Sequence, residues 1–211
     1  MNKRLYFLLA FLVGCATTGT GNGPTASSPN SASNKADKLG NIPLVWKPTR
    51  SVAPLGSVDQ KDLENANLQI DRLADNRENR GFIGQNNEKL NPRKVATPDD
   101  VSAFVTDHMK SLIARAGINV EDSGATAILK GEIKQFFVDE AETYNGDVRL
   151  RLTLTDPAGK VLWTGKTAGA ASRFGRSYRA ENYYEALSDS LIEATNHLLQ
   201  DDDFRKALAA K

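Results

Sequence analysis

The single cysteine of the chain, Cys15, is the residue best placed for covalent chemistry. A cysteine sulfur is a strong nucleophile, and this one directly follows the small residue Gly14. Upstream lie two basic residues and then the apolar run 5–11. A basic region, a short apolar region and a small residue before the cleavage point are typical of a secretory signal. The sequence therefore predicts a signal peptide over residues 1–14, cleaved between Gly14 and Cys15.

The run Leu12-Val13-Gly14-Cys15 resembles the lipobox of bacterial lipoproteins. In those proteins the cysteine receives a diacylglycerol thioether, the signal is cleaved before it, and its new amino group is acylated. The resemblance implies that Cys15 carries the acyl chains, palmitate among them, that hold the mature chain to a membrane. Because Ala16 rather than Asp follows the cysteine, it also implies the periplasmic face of the outer membrane. The alternative is an ordinary signal peptide whose apolar region happens to end in a cysteine.

The composition argues against several other functions. Without residues 1–14 the chain has 25 basic and 26 acidic residues, so no excess of positive charge indicates a nucleic-acid partner. With Cys15 acylated, no thiol is left for a disulfide, a cysteine nucleophile or a cysteine metal ligand. The apolar run 5–11 is shorter than the roughly 20 residues that a membrane-spanning helix needs. We expect a membrane contact through the lipid alone, no nucleic acid and no cofactor.

The histidines and clustered carboxylates give no pattern of a catalytic or metal site. His108 and His197 fall within predicted helices, and neither has a partner at a zinc-binding spacing. Glu140 and Glu142 lie at a predicted hairpin end, and the acidic run 201–203 caps a helix. A glycosidase needs a carboxylic acid in a cleft, which neither context suggests. We expect no enzyme activity and no metal, with an envelope hydrolase kept as the less favoured alternative.

One segment has the residue types of an interaction surface. Residues 172–179 join the last predicted strand to the next helix and combine arginines with aromatic residues, the types that interfaces favour. The partner would be an envelope protein, an anionic glycan or a lipid headgroup. The alternative is a solvated loop whose aromatic rings fold back onto the core. The candidate residues are Arg173, Phe174, Arg176, Tyr178, Arg179 and Tyr183. The long segment 72–91 is a second candidate, because long loops are often functional.

Hydrophobic periodicity predicts the elements that position these residues. Residues 67–73 alternate as a strand, and the polar, glycine-containing segment 74–96 is predicted to be a loop. Thr97 is predicted to cap a helix that Gly117 ends. The run Leu44-Val45-Trp46 is a first strand or a segment docked on the core.

The second half of the chain is predicted to contain three more strands and two helices. The strands 127–138, 148–155 and 161–166 form an antiparallel meander, with turns at 144–147 and 156–159. The helices cover 181–199 and 204–210. The fold class is a single α+β domain over residues 41–211, with a twisted antiparallel sheet and two main helices on one face. Residues 15–40 are predicted to be a disordered tether with a reach of roughly 25–30 Å.

The layout as a whole resembles the YajG family of Gram-negative lipoproteins. The resemblance covers roughly residues 44–210, and it implies an outer-membrane lipoprotein with no established catalytic residues. An accessory subunit of an envelope transport or wall-synthesis complex is the alternative that fold analogy suggests. The segment 74–96 and the longer tether depart from the family pattern. Besides the lipobox, the shared motifs are Asp71-Arg72, Asp75-Asn76-Arg77, Ala114 to Gly117, Ala127-Ile128-Leu129 and Ala158-Gly159-Lys160.

Overall fold

The computed structural model describes residues 40–56, 61, 63, 65–88, 90–175 and 179–210. The predicted signal peptide, Cys15 and nearly all of the predicted tether lie outside these residues. The described chain is an α+β domain, as predicted. Its strands are β1 Asn67–Ile70, β2 Ala74–Asp75, β3 Gly84–Asn86, β4 Arg93–Val95, β5 Asn119–Val120, β6 Ala127–Glu140, β7 Thr143–Thr155 and β8 Val161–Phe174. Its helices are α1 Val101–Arg115, α2 Ala180–Gln200 and α3 Asp202–Ala209.

The long strand β6 is the centre of a curled, mixed sheet. One edge pairs with β7 antiparallel, and β7 pairs with β8, which gives the predicted meander. The other edge pairs in succession with β1, β2 and β3, all parallel to it. The sheet is thus mixed, with antiparallel pairs in the meander and between β3 and β4. The prediction of a loop over 74–96 was wrong, because β2, β3 and β4 lie there. These strands have two or three mostly polar residues each, so their pairing with β6, or with β3 in the case of β4, leaves no alternation in the sequence.

The meander strands extend beyond their predicted ends. Tyr144 to Asp147, predicted as a turn, belong to β7, and the hairpin tip is at residues 141–142. The prediction that residues 172–174 begin a loop was also wrong, since β8 runs to Phe174. A shift in register between Ile133 and Gln135 marks a bulge in β6. A bulge adds one residue to a strand and changes which residues face the core, so the buried series changes from odd to even numbers along β6.

The N-cap residue of α1 lies three residues later than predicted. The side chain of Asp100, not of Thr97, accepts a hydrogen bond from Ala103 N–H at 2.9 Å. Gly117 ends the helix as predicted, with a φ of 106° that favours glycine. Gly117 N–H donates to Ala114 O, and Ile118 N–H donates to Ile113 O. These two bonds form a Schellman motif, which satisfies carbonyls that the helix end would leave unpaired.

Helix α2 lies against the inner face of the meander at two glycines, Gly146 on β7 and Gly169 on β8. A Cβ atom at Gly169 would overlap Ser190 O and Ala194 N of the helix. One at Gly146 would lie 2.6 Å from the helix carbonyl of Ala186. Helix and strand backbones therefore touch at these positions.

The segment 40–56, here named the strap, crosses α1 and α2 in extended form. It begins with a parallel bridge between Asn41 and Ala96. Further along, the indole of Trp46 stacks on the His108 ring of α1, with centroids 4.1 Å apart. The run 44–46 is thus a docked segment and not a strand. Burial lowers the pKa of His108, because a desolvated imidazole disfavours its charged form.

We predict that Gly169→Val strongly destabilises the domain. The added side chain overlaps the α2 backbone, which cannot move aside as a flexible side chain would, and overpacking of this kind costs about 1–3 kcal/mol or more. Chemical denaturation measures the change in the free energy of unfolding. The matched control is Ala170→Val on the exposed face of the same strand, which we expect to change stability by less than about 0.5 kcal/mol. Equal effects of the two variants would contradict the close packing.

Candidate binding surface

The structure separates the residues predicted to form one surface at the β8–α2 junction. Arg176 and Tyr178 lie outside the described residues. Phe174, at the end of β8, is 82% exposed, and Arg179, the residue before α2, is exposed as well. Tyr183 and Arg173 have different environments, described below.

Tyr183 is fully buried and cannot contribute to an exposed surface. Its hydroxyl donates to Glu140 Oε2 at 2.8 Å, and its ring meets Tyr144 edge-on at 5.4 Å. Burial, reinforced by the Glu140 carboxylate, raises the pKa of Tyr183 strongly. Burial, again with Glu140 adding to it, raises the pKa of Tyr144 to about 12. The prediction of Tyr183 as a surface residue is therefore wrong, since its ring fills the core where Gly84 leaves room.

Arg173 is an ion-pair partner of a fully buried carboxylate. Its guanidinium contacts the Asp189 carboxylate, and the Arg173 side chain is only 23% exposed. Asp189 also accepts hydrogen bonds from the strap: Thr49 N–H at 2.8 Å, Thr49 Oγ1–H at 2.7 Å and Arg50 N–H at 3.1 Å. A buried carboxylate needs such partners to offset its desolvation. Arg173 thus helps to hold the strap on α2.

The carboxylates considered for catalysis do not form a shared site. Glu140 is buried and bonded to Tyr183, whereas Glu142 is exposed at the hairpin tip. Asp201 accepts the N–H groups of Asp203 and Phe204, both at 2.9 Å, and caps α3. Within the described residues, no group of three or more potential metal ligands occurs. In the same part of the chain, no helix has the length and apolar character to cross a membrane.

The outer face of the meander carries a groove that sequence reasoning missed, and His197 of α2 lines its wider part. Its wider part has a volume of about 960 Å³ and is lined by residues that include Phe137, Asp139, Asp147 and Ala170. A narrower part of about 400 Å³ follows, and Arg149 and Ala168 line both parts. The signal was present in the alternating polar residues of the meander. Finding the groove requires in addition the register of β7 with β8.

Comparison with solved structures shows the fold of the domain. No protein-family model matches the chain, and no curated protein is similar to it in sequence. A DUF330 protein from Xanthomonas campestris superposes with a TM-score of 0.53 at 14% identity, covering 76% of this chain and 92% of that one. This likeness shows a shared α+β fold.

Two lipoprotein structures give lower scores. A candidate lipoprotein from Caulobacter crescentus has a TM-score of 0.47 at 13% identity, with 74% of this chain and 98% of that one covered. A minor lipoprotein from Acinetobacter baumannii has a TM-score of 0.36 at 10% identity, with 69% and 94% covered. At these scores neither likeness bears on the function of this chain.

We predict that Asp189→Ala destabilises the domain by about 3–5 kcal/mol, because it leaves Arg173 as a poorly compensated charge. It also removes the acceptor of the strap N–H groups, so trypsin cleaves after Arg50 faster than in the wild type. Denaturation and limited proteolysis measure the two effects. The control is Glu193→Ala, which removes partly exposed contacts with Arg50 at 3.7 Å and with His197 at 3.4 Å and costs less than about 1 kcal/mol. Unchanged cleavage in Asp189→Ala would contradict the role of this carboxylate.

Proposed function

We propose that this chain is a lipid-anchored lipoprotein of the bacterial envelope, on the periplasmic face of the outer membrane. Its α+β domain serves as a binding or accessory module and not as an enzyme. The observation that carries the proposal is the position of Cys15 at the end of a secretory signal, in a run that resembles a lipobox. The resemblance of the layout to the YajG family supports the same class.

Different parts of the chain provide attachment, reach and binding. More than one acyl chain on Cys15 gives durable attachment, since a single chain binds a membrane only reversibly. The predicted tether then gives the domain reach, and the fold begins where the strap pairs with Ala96. The accessible remainder of the predicted surface, Phe174 and Arg179, offers an apolar ring and a cation close to the α2 start. Arginine and aromatic residues are common anchors of interfaces.

A more specific form of the proposal is an accessory subunit of an envelope transport or wall-synthesis complex. The exposed ring of Phe174 favours it, because an aromatic side chain left in water is a source of binding free energy when a partner covers it. This form requires a stable protein partner. Turnover of peptidoglycan fragments by the purified protein would contradict the non-enzymatic part of either form.

We predict that Cys15→Ser releases the protein from the membrane fraction, because the substituted chain has no thiol to acylate. Ala16→Asp is the second variant. We expect it to stay acylated and membrane-bound but to move to the inner membrane. Cell fractionation with sucrose-gradient separation of the two membranes measures both. If Cys15→Ser sediments with the outer membrane like the wild type, the lipid anchor is disproved.

We predict that Phe174→Ala combined with Arg179→Glu weakens capture of an envelope partner at least tenfold, as expected when interface anchors are lost. Crosslinking in intact membranes followed by pulldown measures the capture. Both residues are exposed, so the unfolding midpoint stays the same. The matched control is Val161→Ala combined with Lys160→Glu, which changes exposed residues at the opposite end of β8. Equal capture by the wild type and both variants would rule out this surface.

A further inference from the structure

The narrower part of the outer groove is a cationic pocket of about 400 Å³. Four of its seven lining residues are basic, and none is acidic. The pocket lies on the meander, and neither Phe174 nor a helix residue lines it. The lining residues are Lys134, Arg149, Leu150, Arg151, Lys166, Thr167 and Ala168.

Two of these cations lie opposite each other on neighbouring strands. Arg151 of β7 lies directly opposite Lys166 of β8 in the register of the two strands. Both are exposed, and no carboxylate of the described chain lies within ion-pair distance of either. Like charges directly opposite on neighbouring strands destabilise a sheet. Local arrangements that cost stability are expected at functional sites.

The bulge in β6 brings a third cation to the pocket. Lys134 is the extra residue between Ile133 and Gln135, which pair with Leu150 and Arg149. Bulges re-aim side chains and are over-represented next to functional sites. The Lys134 side chain is 44% exposed and lines the pocket.

Acidic residues at the rim neutralise only part of this charge. Lys134 pairs with Glu132 at 3.4 Å, and Arg149 pairs with Asp147 at 2.7 Å. The side chains of both cations stay more than 40% exposed in these pairs. Arg151 and Lys166 therefore supply the uncompensated positive charge of the pocket.

We propose that the cationic pocket binds the phosphate of an anionic phospholipid headgroup. Guanidinium groups match the geometry of phosphate oxygens with two parallel N–H donors, and an ammonium adds a point charge. The volume of about 400 Å³ is large enough for a phosphate-bearing headgroup. The anion site rests on the geometry alone. The choice of a lipid over free phosphate rests on the proposed anchor at Cys15, which keeps the domain within reach of a bilayer.

Vesicle binding by the full chain carrying Cys15→Ser tests the proposal, since no acyl chain then contributes. Vesicles of equal parts phosphatidylcholine and phosphatidylglycerol are compared with pure phosphatidylcholine, which measures any contribution of the apolar run 5–11. The site variant is Arg151→Gln combined with Lys166→Gln. The control variant is Lys160→Gln combined with Lys206→Gln, which removes the same charge from exposed positions elsewhere.

We expect the site variant to bind the anionic vesicles at least about tenfold more weakly than the parent, as the loss of two cations near an anionic surface implies. The control variant should change binding by less than about threefold. Equal losses in both variants would indicate unspecific attraction and overturn the proposal. Binding no stronger to anionic than to neutral vesicles would overturn it as well.

Titration with inorganic phosphate, followed by the amide NMR signals of Arg151 and Lys166, separates the two sources of the anion. Saturable shifts together with vesicle binding support the proposal. Saturable shifts without vesicle binding replace the lipid with free phosphate and overturn the assignment made here. Because all of these measurements use an unacylated chain, their outcome is independent of whether Cys15 is lipidated in cells.

Discussion

The contact between the backbone of α2 and two glycine positions of the meander is the constraint on which the rest of the domain depends. Gly146 and Gly169 let the helix approach β7 and β8 until main-chain atoms touch. At that distance, the side chains of α2 reach both the core and the strap. The Asp189 carboxylate can then bind Thr49, Arg50 and Arg173 at the same time. The inner face of the meander is thereby committed to packing, and most charged side chains of its strands lie on the outer face.

Local periodicity was sufficient for the elements that carry their own hydrophobic pattern. The meander and the three helices were predicted because their apolar residues recur at two or 3.6 positions. Local periodicity was insufficient for β2, β3 and β4. The first two are strands because β6 offers them a long free edge, and β4 pairs with β3 in turn. The end of β8 was missed for a related reason. Residues 168–171 are all alanine or glycine, so they show no contrast between a core face and a solvent face.

The same limit applies to the candidate surfaces. Residue type alone suggested that Arg173 and Tyr183 bind a partner, yet both bind inside the domain, to Asp189 and Glu140. Such buried acids could not be recognised from sequence, because each belongs to a different element from its partner. The charges of the outer face were visible, but their meaning depended on register. Arg151 faces Glu132 on one side and Lys166 on the other, and Glu132 forms its ion pair with Lys134 and not with Arg151.

The strap determines how the amino-terminal end of the domain would respond to a pulling force. Tension applied at that end would first load the short bridge of Asn41 with Ala96. It would next reach the Trp46 stack on His108 and then the Asp189 carboxylate on the longest helix. These contacts lie one after another along the strap, so they would yield in sequence instead of sharing the load. Peeling the strap away would leave the meander paired, and the domain would act as an extensible link whose sheet survives its first stretch.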